Sequence, residues 1–135
     1  MNIAVFSLDF PAYPCAQIRL IRPFFYLYPE IKYKWCVQND GKRYEISYEA
    51  LNWADIVIIQ RFFLLRDFRP YLEKIFSLNK PVICELDDLL WEVPSYNSRL
   101  STLMRINKPY ILEILPCFTG ITVSTQQLAI KVSQY

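Results

Sequence analysis

The 135-residue sequence contains no histidine and only two glycines. Without histidine, the usual general base for a Ser or Cys nucleophile is missing, which argues against a triad-type hydrolase. Dinucleotide and P-loop sites need glycines where the backbone approaches phosphate, and the turn from Ser7 to Cys15 has none. The sequence therefore argues against a nucleotide cradle in this chain.

The four cysteines are widely separated and form no CxxC pair. With no histidine present, the usual zinc-ligand spacings are absent, and we expect no metal site built on sulfur. Cys36 and Cys84 lie in apolar segments, where a free thiol behaves as a small hydrophobe. We therefore expect a reduced, cytoplasmic protein.

No apolar run approaches the roughly 18 to 20 residues that span a bilayer, and no basic segment precedes the first strand. We expect neither a transmembrane helix nor a signal peptide. Lys and Arg total 15 and Asp and Glu total 13, a net charge of +2. This balance gives no indication of a nucleic-acid partner, whose recognition requires clustered basic residues.

Two segments mix aromatic residues with neighbouring arginines, as segments at a membrane interface do: residues 24–28 and 61–66. Two interpretations stay open at this point. The segments contact the inner face of a membrane, or their side chains face the core of the protein.

Five short segments rich in Val and Ile predict β-strands, mostly apolar throughout, as expected for strands covered on both faces. Four helical segments alternate with them. The strands are Asn2 to Leu8, Lys32 to Val37, Asp55 to Gln60, Pro81 to Leu86 and Gly120 to Ser124; the helices are Ala16 to Tyr28, Asp67 to Leu78, Ser98 to Leu115 and Thr125 to Gln134. This alternation predicts one α/β, Rossmann-like, doubly wound three-layer domain over residues 1–135. We expect a mainly parallel sheet with the approximate order 3-2-1-4-5.

Local signals refine these boundaries. Asp67 is a candidate N-cap for the second helix, and Ser124 or Thr125 for the last one. Pro23 must kink the first helix or mark the start of a shorter one. The tripeptide at 39–41 predicts a tight turn, followed by a short extra strand within 42–47 and a helical turn at 48–53.

Asp87 and Asp88 come directly after the fourth predicted strand. Ligands of open α/β sheets bind beyond the carboxyl ends of the strands, so this pair is the leading site candidate. One carboxylate can orient the reacting groups while the other accepts a proton from a hydroxyl group. The accepting carboxylate suits this role if burial or the neighbouring carboxylate raises its pKa. A purely structural interpretation also stays open, in which Asp88 caps the following turn.

Asp9 follows the first strand and brings a third carboxylate to the same edge. Three such carboxylates are suitable ligands for magnesium, so a magnesium-binding signalling domain remains an alternative function. The acidic pair of receiver domains, however, follows the first strand, whereas here the pair follows the fourth.

Three polar side chains complete the candidate site. Gln60 and Arg61 end the third strand, and Arg61 can bind a phosphate or carboxylate bidentately or pair with Asp67 or Asp87 and Asp88. Arg19 can support anion binding at the start of the first helix, or form an ion pair.

Three motifs are similar to one enzyme family. They are the run from Pro81 to Pro94, the run from Gly120 to Ala129 with its Val-Ser-Thr-x-x-Leu-Ala step, and the Ala-Asp-hydrophobic strand from Ala54 to Ile59. Together they resemble the N-terminal half of a GT-B glycosyltransferase of the group 1, or family 4, kind. The resemblance extends over nearly the whole chain, although Phe10 to Pro14 replaces the glycine-rich turn of many relatives.

The resemblance implies the acceptor-binding half of a nucleotide-sugar-dependent enzyme in cell-surface polysaccharide synthesis. The acceptor would be a glycan or a lipid-linked sugar. The donor-binding domain would come in cis or in trans, and without it this half would not turn over. No cofactor would bind this chain, since the nucleotide-sugar belongs to the missing domain.

The resemblance also implies roles for individual residues. Asp87 would stand where many relatives carry histidine and would handle the proton of the acceptor hydroxyl, with Asp88 beside it. Ser124 and Thr125 match the family's strand-to-helix step near the substrate.

The main alternative is a non-catalytic protein-interaction module that uses the aromatic and arginine-rich stretch from Phe62 to Phe68.

Overall fold

The computed structural model describes residues 1–39 and 43–135. In that part of the chain, seven strands form two sheets: β1 (Asn2–Ser7), β2 (Lys32–Trp35), β3 (Val37–Asn39), β4 (Tyr44–Ile46), β5 (Ile56–Gln60), β6 (Val82–Leu86) and β7 (Gly120–Val123). The larger sheet has the order β2-β1-β5-β6-β7, and every pairing in it is parallel. Helices cover both faces, which confirms the predicted α/β, Rossmann-like, doubly wound fold.

The predicted strand order of 3-2-1-4-5 is wrong. The third strand of that prediction, β5, lies between β1 and β6, so the order in the same numbering is 2-1-3-4-5. The polarity of the strands explains the difference. β5 is almost wholly apolar and suits the centre of the sheet, whereas β2 carries two exposed lysines, which protect an edge strand from further pairing. This order puts the topological switch point between β1 and β5.

The helices lie close to their predicted positions. They are α1 (Pro14–Ala16), α2 (Arg22–Tyr26), α3 (Glu49–Trp53), α4 (Arg69–Phe76), α5 (Ser98–Ile114) and α6 (Gln126–Val132). A π-helical turn, Gln17–Ile21, joins α1 to α2, so the chain stays helical from residue 14 to residue 26. Pro23 is the second residue of α2 and follows this π-helical turn directly.

One predicted cap is confirmed and one is wrong. The Thr125 hydroxyl accepts a hydrogen bond from the Leu128 amide at 3.1 Å and caps α6. Asp67 does not cap α4, because it lies inside a short 3-10 helix, Arg66–Phe68, and α4 begins only at Arg69. Pro70 in the first turn of α4 sets that later start.

The extra strand expected within 42–47 is confirmed as β4, which pairs antiparallel with β3. The helical turn expected at 48–53 is α3. Of the tight turn predicted at 39–41, only Asn39 lies within the residues that the structure describes.

The segment from Phe62 to Phe68 contributes to the core. Phe63 and Leu64 are fully buried and Phe68 is nearly so. The Phe63 ring stacks on Phe68 at 4.9 Å and contacts Phe6 at 5.5 Å between ring centroids. Of the two interpretations open for residues 61–66, the structure shows core packing. Within residues 1–39 and 43–135, no helix combines the length and apolarity needed to cross a bilayer.

Lys80, in the loop just before β6, ties that loop to the end of α3. Its ammonium group donates to the carbonyl oxygens of Leu51 at 2.5 Å and Ala54 at 2.6 Å. These carbonyls belong to the C-terminal end of α3, where orphan acceptors and the negative end of the helix dipole favour a cation.

Replacing Lys80 by Met should lower the free energy of unfolding by about 1–2 kcal/mol, because the helix end loses its donor while the aliphatic stem is kept. Urea unfolding followed by circular dichroism measures the change. Lys108→Met, a lysine replaced in the same way within α5, is the control and should change stability by less than about 0.5 kcal/mol. Equal effects of the two substitutions would contradict this role of Lys80.

Candidate functional site

The carboxyl ends of β1, β5 and β6 bring five side chains together beside the switch point. We call this group the Arg61 cluster: Asp9, Cys15, Arg61, Asp87 and Asp88. The Arg61 guanidinium lies 3.0 Å from Asp87 through Nε, 3.4 Å from Asp9 through Nη1, and 3.8 Å from Asp88 through Nη2. The structure therefore joins four residues that the sequence predicted separately, and Gln60 precedes Arg61 at the end of β5.

Arg61 has a left-handed backbone, with φ of 46°. A residue with a branched or long side chain rarely adopts this conformation, which costs about 1–3 kcal/mol where the surrounding structure enforces it. The bend at Arg61 ends β5 and starts the 3-10 helix Arg61–Leu64. Backbone strain of this kind concentrates at functional sites, so the conformation supports a functional role for the cluster.

The cluster holds more negative than positive charge. Burial lowers the pKa of Arg61, but the attraction of Asp87, Asp88, Cys15 and Asp9 outweighs burial and raises it overall. Burial raises the pKa of Asp9, Arg61 opposes this rise, and Asp87 adds to it. One guanidinium thus provides the positive charge that faces three carboxyl groups.

Asp87 and Asp88 differ in their surroundings. Asp87 has a side chain only 20% exposed, with Oδ2 accepting a hydrogen bond from the Cys15 thiol at 3.0 Å and Oδ1 in contact with Arg61 Nε. The Asp88 side chain is 60% exposed. Partial desolvation raises the pKa of Asp88, the charge of Asp87 adds to the rise, and Arg61 opposes it. Asp87 is therefore held in place, while Asp88 is open to a ligand.

A chain of buried hydrogen bonds lies beneath the cluster. Ser7 Oγ donates to Gln60 Oε1 at 2.7 Å, and Gln60 Nε2 donates to Glu85 Oε2 at 2.9 Å. Arg19 Nε binds the other Glu85 oxygen at 2.6 Å. The Ser7 hydroxyl also accepts from the Asp9 amide at 3.1 Å, which connects this network to the cluster. Of the two interpretations of Arg19, the structure shows the ion pair.

A cleft of about 350 Å³ opens beside the cluster. Arg61 and Asp88 form one wall, and the loop between β6 and α5 forms much of the rest. The other residues that line it are Phe62, Leu89, Leu90, Glu92, Val93, Pro94, Tyr96, Asn97, Leu100, Met104 and Lys131. The lining combines an apolar floor with a small number of polar groups, as ligand pockets commonly do.

Ser124 and Thr125 lie next to the site but support it from behind. Ser124 Oγ donates to the Asp87 backbone carbonyl at 2.7 Å, which fixes the loop that carries the acidic pair. Thr125 caps α6. Neither residue lines the cleft.

Sequence reasoning missed Ser7, Cys15 and Glu85. Glu85 is one charged residue inside the apolar strand β6, and such a residue signals a buried partner. No comparable signal marks Cys15, whose partner Asp87 lies 72 residues further along the chain.

Among the residues that the structure describes, no group of three or more His, Cys, Asp or Glu side chains is arranged to hold a metal ion. The three carboxylates of the cluster instead surround the Arg61 guanidinium. The four cysteines are all free.

Comparisons with known proteins add the fold alone. No family profile matches the chain, and no curated protein does. A solved structure described as the crystal structure of a conserved protein from Enterococcus faecalis V583 is similar, with a TM-score of 0.52 and 13% sequence identity. The match covers 99% of this chain and 98% of that one. At this identity, the likeness supports the Rossmann-like architecture.

The Cys15 thiol offers a direct probe of the cluster. Burial, the hydrogen bond to Asp87 and the charges of Asp87 and Asp9 together raise its pKa to about 11, against the opposing effect of Arg61. Only the thiolate reacts with alkylating agents, so Cys15 should react slowly near pH 8 and faster as the pH rises toward 11.

Asp87→Asn should accelerate alkylation of Cys15 by iodoacetamide at pH 8 by at least about threefold, because it removes a negative charge while keeping the side-chain shape. Mass spectrometry of the Cys15 peptide measures the rate, and the exposed Cys117 serves as the internal reference. Asp67→Asn is the matched control and should leave the rate unchanged. A Cys15 rate that does not respond to Asp87→Asn would refute the coupling between these two side chains.

Proposed function

We propose that this chain is the acceptor-binding half of a nucleotide-sugar-dependent glycosyltransferase of the GT-B type, acting in cell-surface glycan synthesis. The observation that carries the proposal is the exposed Asp88 carboxylate, which stands at the wall of the cleft beside an Asp87 already held by Arg61 and Cys15. The motifs that resemble this family support the same conclusion. The nucleotide-sugar would bind another domain, in cis or in trans.

The composition of the cleft supports a sugar as its ligand. Sugar hydroxyls are hydrogen-bond donors and acceptors, whereas the C–H faces of the ring are apolar. Asp88, Glu92 and Asn97 offer polar groups, and Val93 and Pro94 offer an apolar surface. Tyr96 lies at the rim with an exposed ring, which is suited to packing against a sugar face.

In this proposal the general base is Asp88 and not Asp87, to which the family resemblance gives that role, because Asp87 is already engaged by Cys15 and Arg61. Asp88 accepts the proton of the acceptor hydroxyl as the oxygen forms a bond to the anomeric carbon, and the nucleoside diphosphate leaves with the electron pair of the broken bond. A raised pKa suits this role, because a base works best when its pKa approaches the working pH. Asp87 acts as a positioning residue that holds Arg61 beside the reacting groups.

The protein-interaction module is less well supported. This alternative rests on the aromatic and arginine-rich stretch from Phe62 to Phe68. The side chains of Phe63, Leu64 and Phe68 in this stretch are buried in the core. The magnesium-binding alternative has the Arg61 guanidinium among its three carboxylates, in the space that a cation would need.

In the first test, unlabelled mono- and oligosaccharides and water-soluble lipid-linked sugar analogues are added to the isolated chain. Two-dimensional NMR of the chain monitors their binding. We expect chemical-shift changes at the cleft, concentrated at Tyr96 and Asn97. Tyr96→Ala should weaken binding by about threefold to tenfold. Shifts confined to other surfaces, or no binding by any sugar, would count against the acceptor role.

The second test adds a donor-binding domain and measures turnover of UDP-, GDP- and ADP-sugars. Asp88→Asn should lower turnover by about 10²- to 10⁴-fold with acceptor affinity nearly unchanged, because it removes the base and keeps the shape. Asp67→Asn, an exposed aspartate outside the cleft, is the matched control. Full activity in Asp88→Asn would remove Asp88 from the mechanism.

A further inference from the structure

Four consecutive large apolar side chains are exposed at the end of the first helical segment, formed by the last two residues of α2 and the two residues that follow. Phe25 is 76% exposed, Tyr26 81%, Leu27 50% and Tyr28 68%. We call these four residues the aromatic patch. No other run of four consecutive large apolar residues is exposed in residues 1–39 and 43–135. A contiguous exposed apolar surface of this kind marks an interaction site on a soluble protein.

The patch is built on a firmly packed base. Phe24 points inward, is nearly buried, and joins the apolar cluster that includes Ile3, Val5 and Leu20. Its ring contacts Tyr33 of the edge strand β2 at 5.2 Å. The patch residues therefore point to solvent because Phe24 fixes the helix against the sheet. Beside them runs a groove of about 400 Å³, lined by Ile21, Phe24, Phe25, Tyr28, Ile31, Lys32 and Tyr33.

The charge around the patch has one dominant sign. Residues 22–34 contain three basic residues and one acidic residue, a net charge of +2, and Lys32 lines the groove beside the patch. Arg22 and Lys32 are exposed on either side of the patch in the sequence, and Glu30 is the one acidic residue between Asp9 and Asp40. The surroundings of the patch thus favour an anionic partner.

We propose that the aromatic patch docks onto the surface of an anionic membrane. Tyr and Phe rings with neighbouring cations are the combination that binds the headgroup region, where a ring is buried while its polar end stays hydrated. Each nearby Lys or Arg adds attraction to anionic lipid. The Tyr side chains of the patch can keep their hydroxyl groups in water while Phe25 and Leu27 enter the interface.

A second copy of the chain fits this surface less well. The adjoining edge strand β2 presents Lys32 and Lys34, and antiparallel pairing of two such edges would bring like charges together. Charge therefore favours lipid over self-association.

The patch lies near the amino ends of the parallel strands, and the Arg61 cluster lies at their carboxyl ends. The helix begins at the carboxyl edge near Cys15 and returns to the amino edge, where β2 starts at Lys32. The strands between the two edges are about 15–20 Å long. The membrane proposal accordingly stands independently of the proposed sugar-transfer function.

Sedimentation of the protein with vesicles tests the proposal. Vesicles of phosphatidylcholine with about 30% phosphatidylglycerol should bind the chain, vesicles of phosphatidylcholine alone should bind it weakly, and raised salt should reduce binding. Phe25→Ser combined with Tyr26→Ser should lower the affinity for the anionic vesicles by at least about tenfold. Arg22→Gln combined with Lys32→Gln should lower it and remove most of the salt dependence.

The matched control is Leu103→Ser combined with Ile106→Ser, two exposed apolar residues of α5. This variant should bind vesicles as the wild type does. Thermal unfolding checks that all variants fold, and Tyr26→Ser alone provides a milder substitution at the most exposed patch position. No binding to anionic vesicles, or binding that ignores the patch substitutions, would overturn the proposal. Sedimentation velocity showing a dimer that only the patch variant dissolves would overturn it in favour of self-association.

Discussion

The contact of Arg61 with three carboxyl groups organises the carboxyl edge of the sheet. Arg61 leaves the central strand β5 in a left-handed conformation, and its guanidinium meets side chains from the turns after β1 and β6. Without that cation, three carboxylates would crowd one edge of the sheet with no compensating charge. Because a single cation compensates the three carboxylates only in part, the edge keeps a negative excess, and the Asp88 side chain stays 60% exposed.

The layers beneath Arg61 make this arrangement rigid. Glu85 is almost fully buried and has both oxygens engaged, one by Arg19 and one by Gln60. A buried charge is tolerated only when it is paired and hydrogen-bonded, so these partners are required by the placement of Glu85 itself. The same network ends at the Asp9 amide and thereby positions a member of the cluster.

Much of the fold could be predicted because apolar runs, turns and prolines report on the local backbone. Strand order required a comparison between strands, and the lysines of β2 carried that information. The meeting of the carboxylates and Arg61 was predictable because these residues follow the ends of strands, and parallel strands end at one edge. The partners Cys15 and Arg19 were not predictable in these roles, since their contacts lie 72 and 66 residues away in the sequence. Asp67 shows the limit of local rules, because a proline three residues later shifted the helix start.

The π-helical turn Gln17–Ile21 makes the length of the first helical segment critical. The Arg22 amide reaches back to the Gln17 carbonyl, so this turn holds one residue more than an α-helical turn. Each residue turns the helix by about 100°, so loss of one residue here would rotate everything downstream relative to Pro14. Phe24 would then swing away from its apolar cluster if Arg19 stayed on Glu85. Evolutionary insertions and deletions should consequently avoid this segment and accumulate in the loops instead.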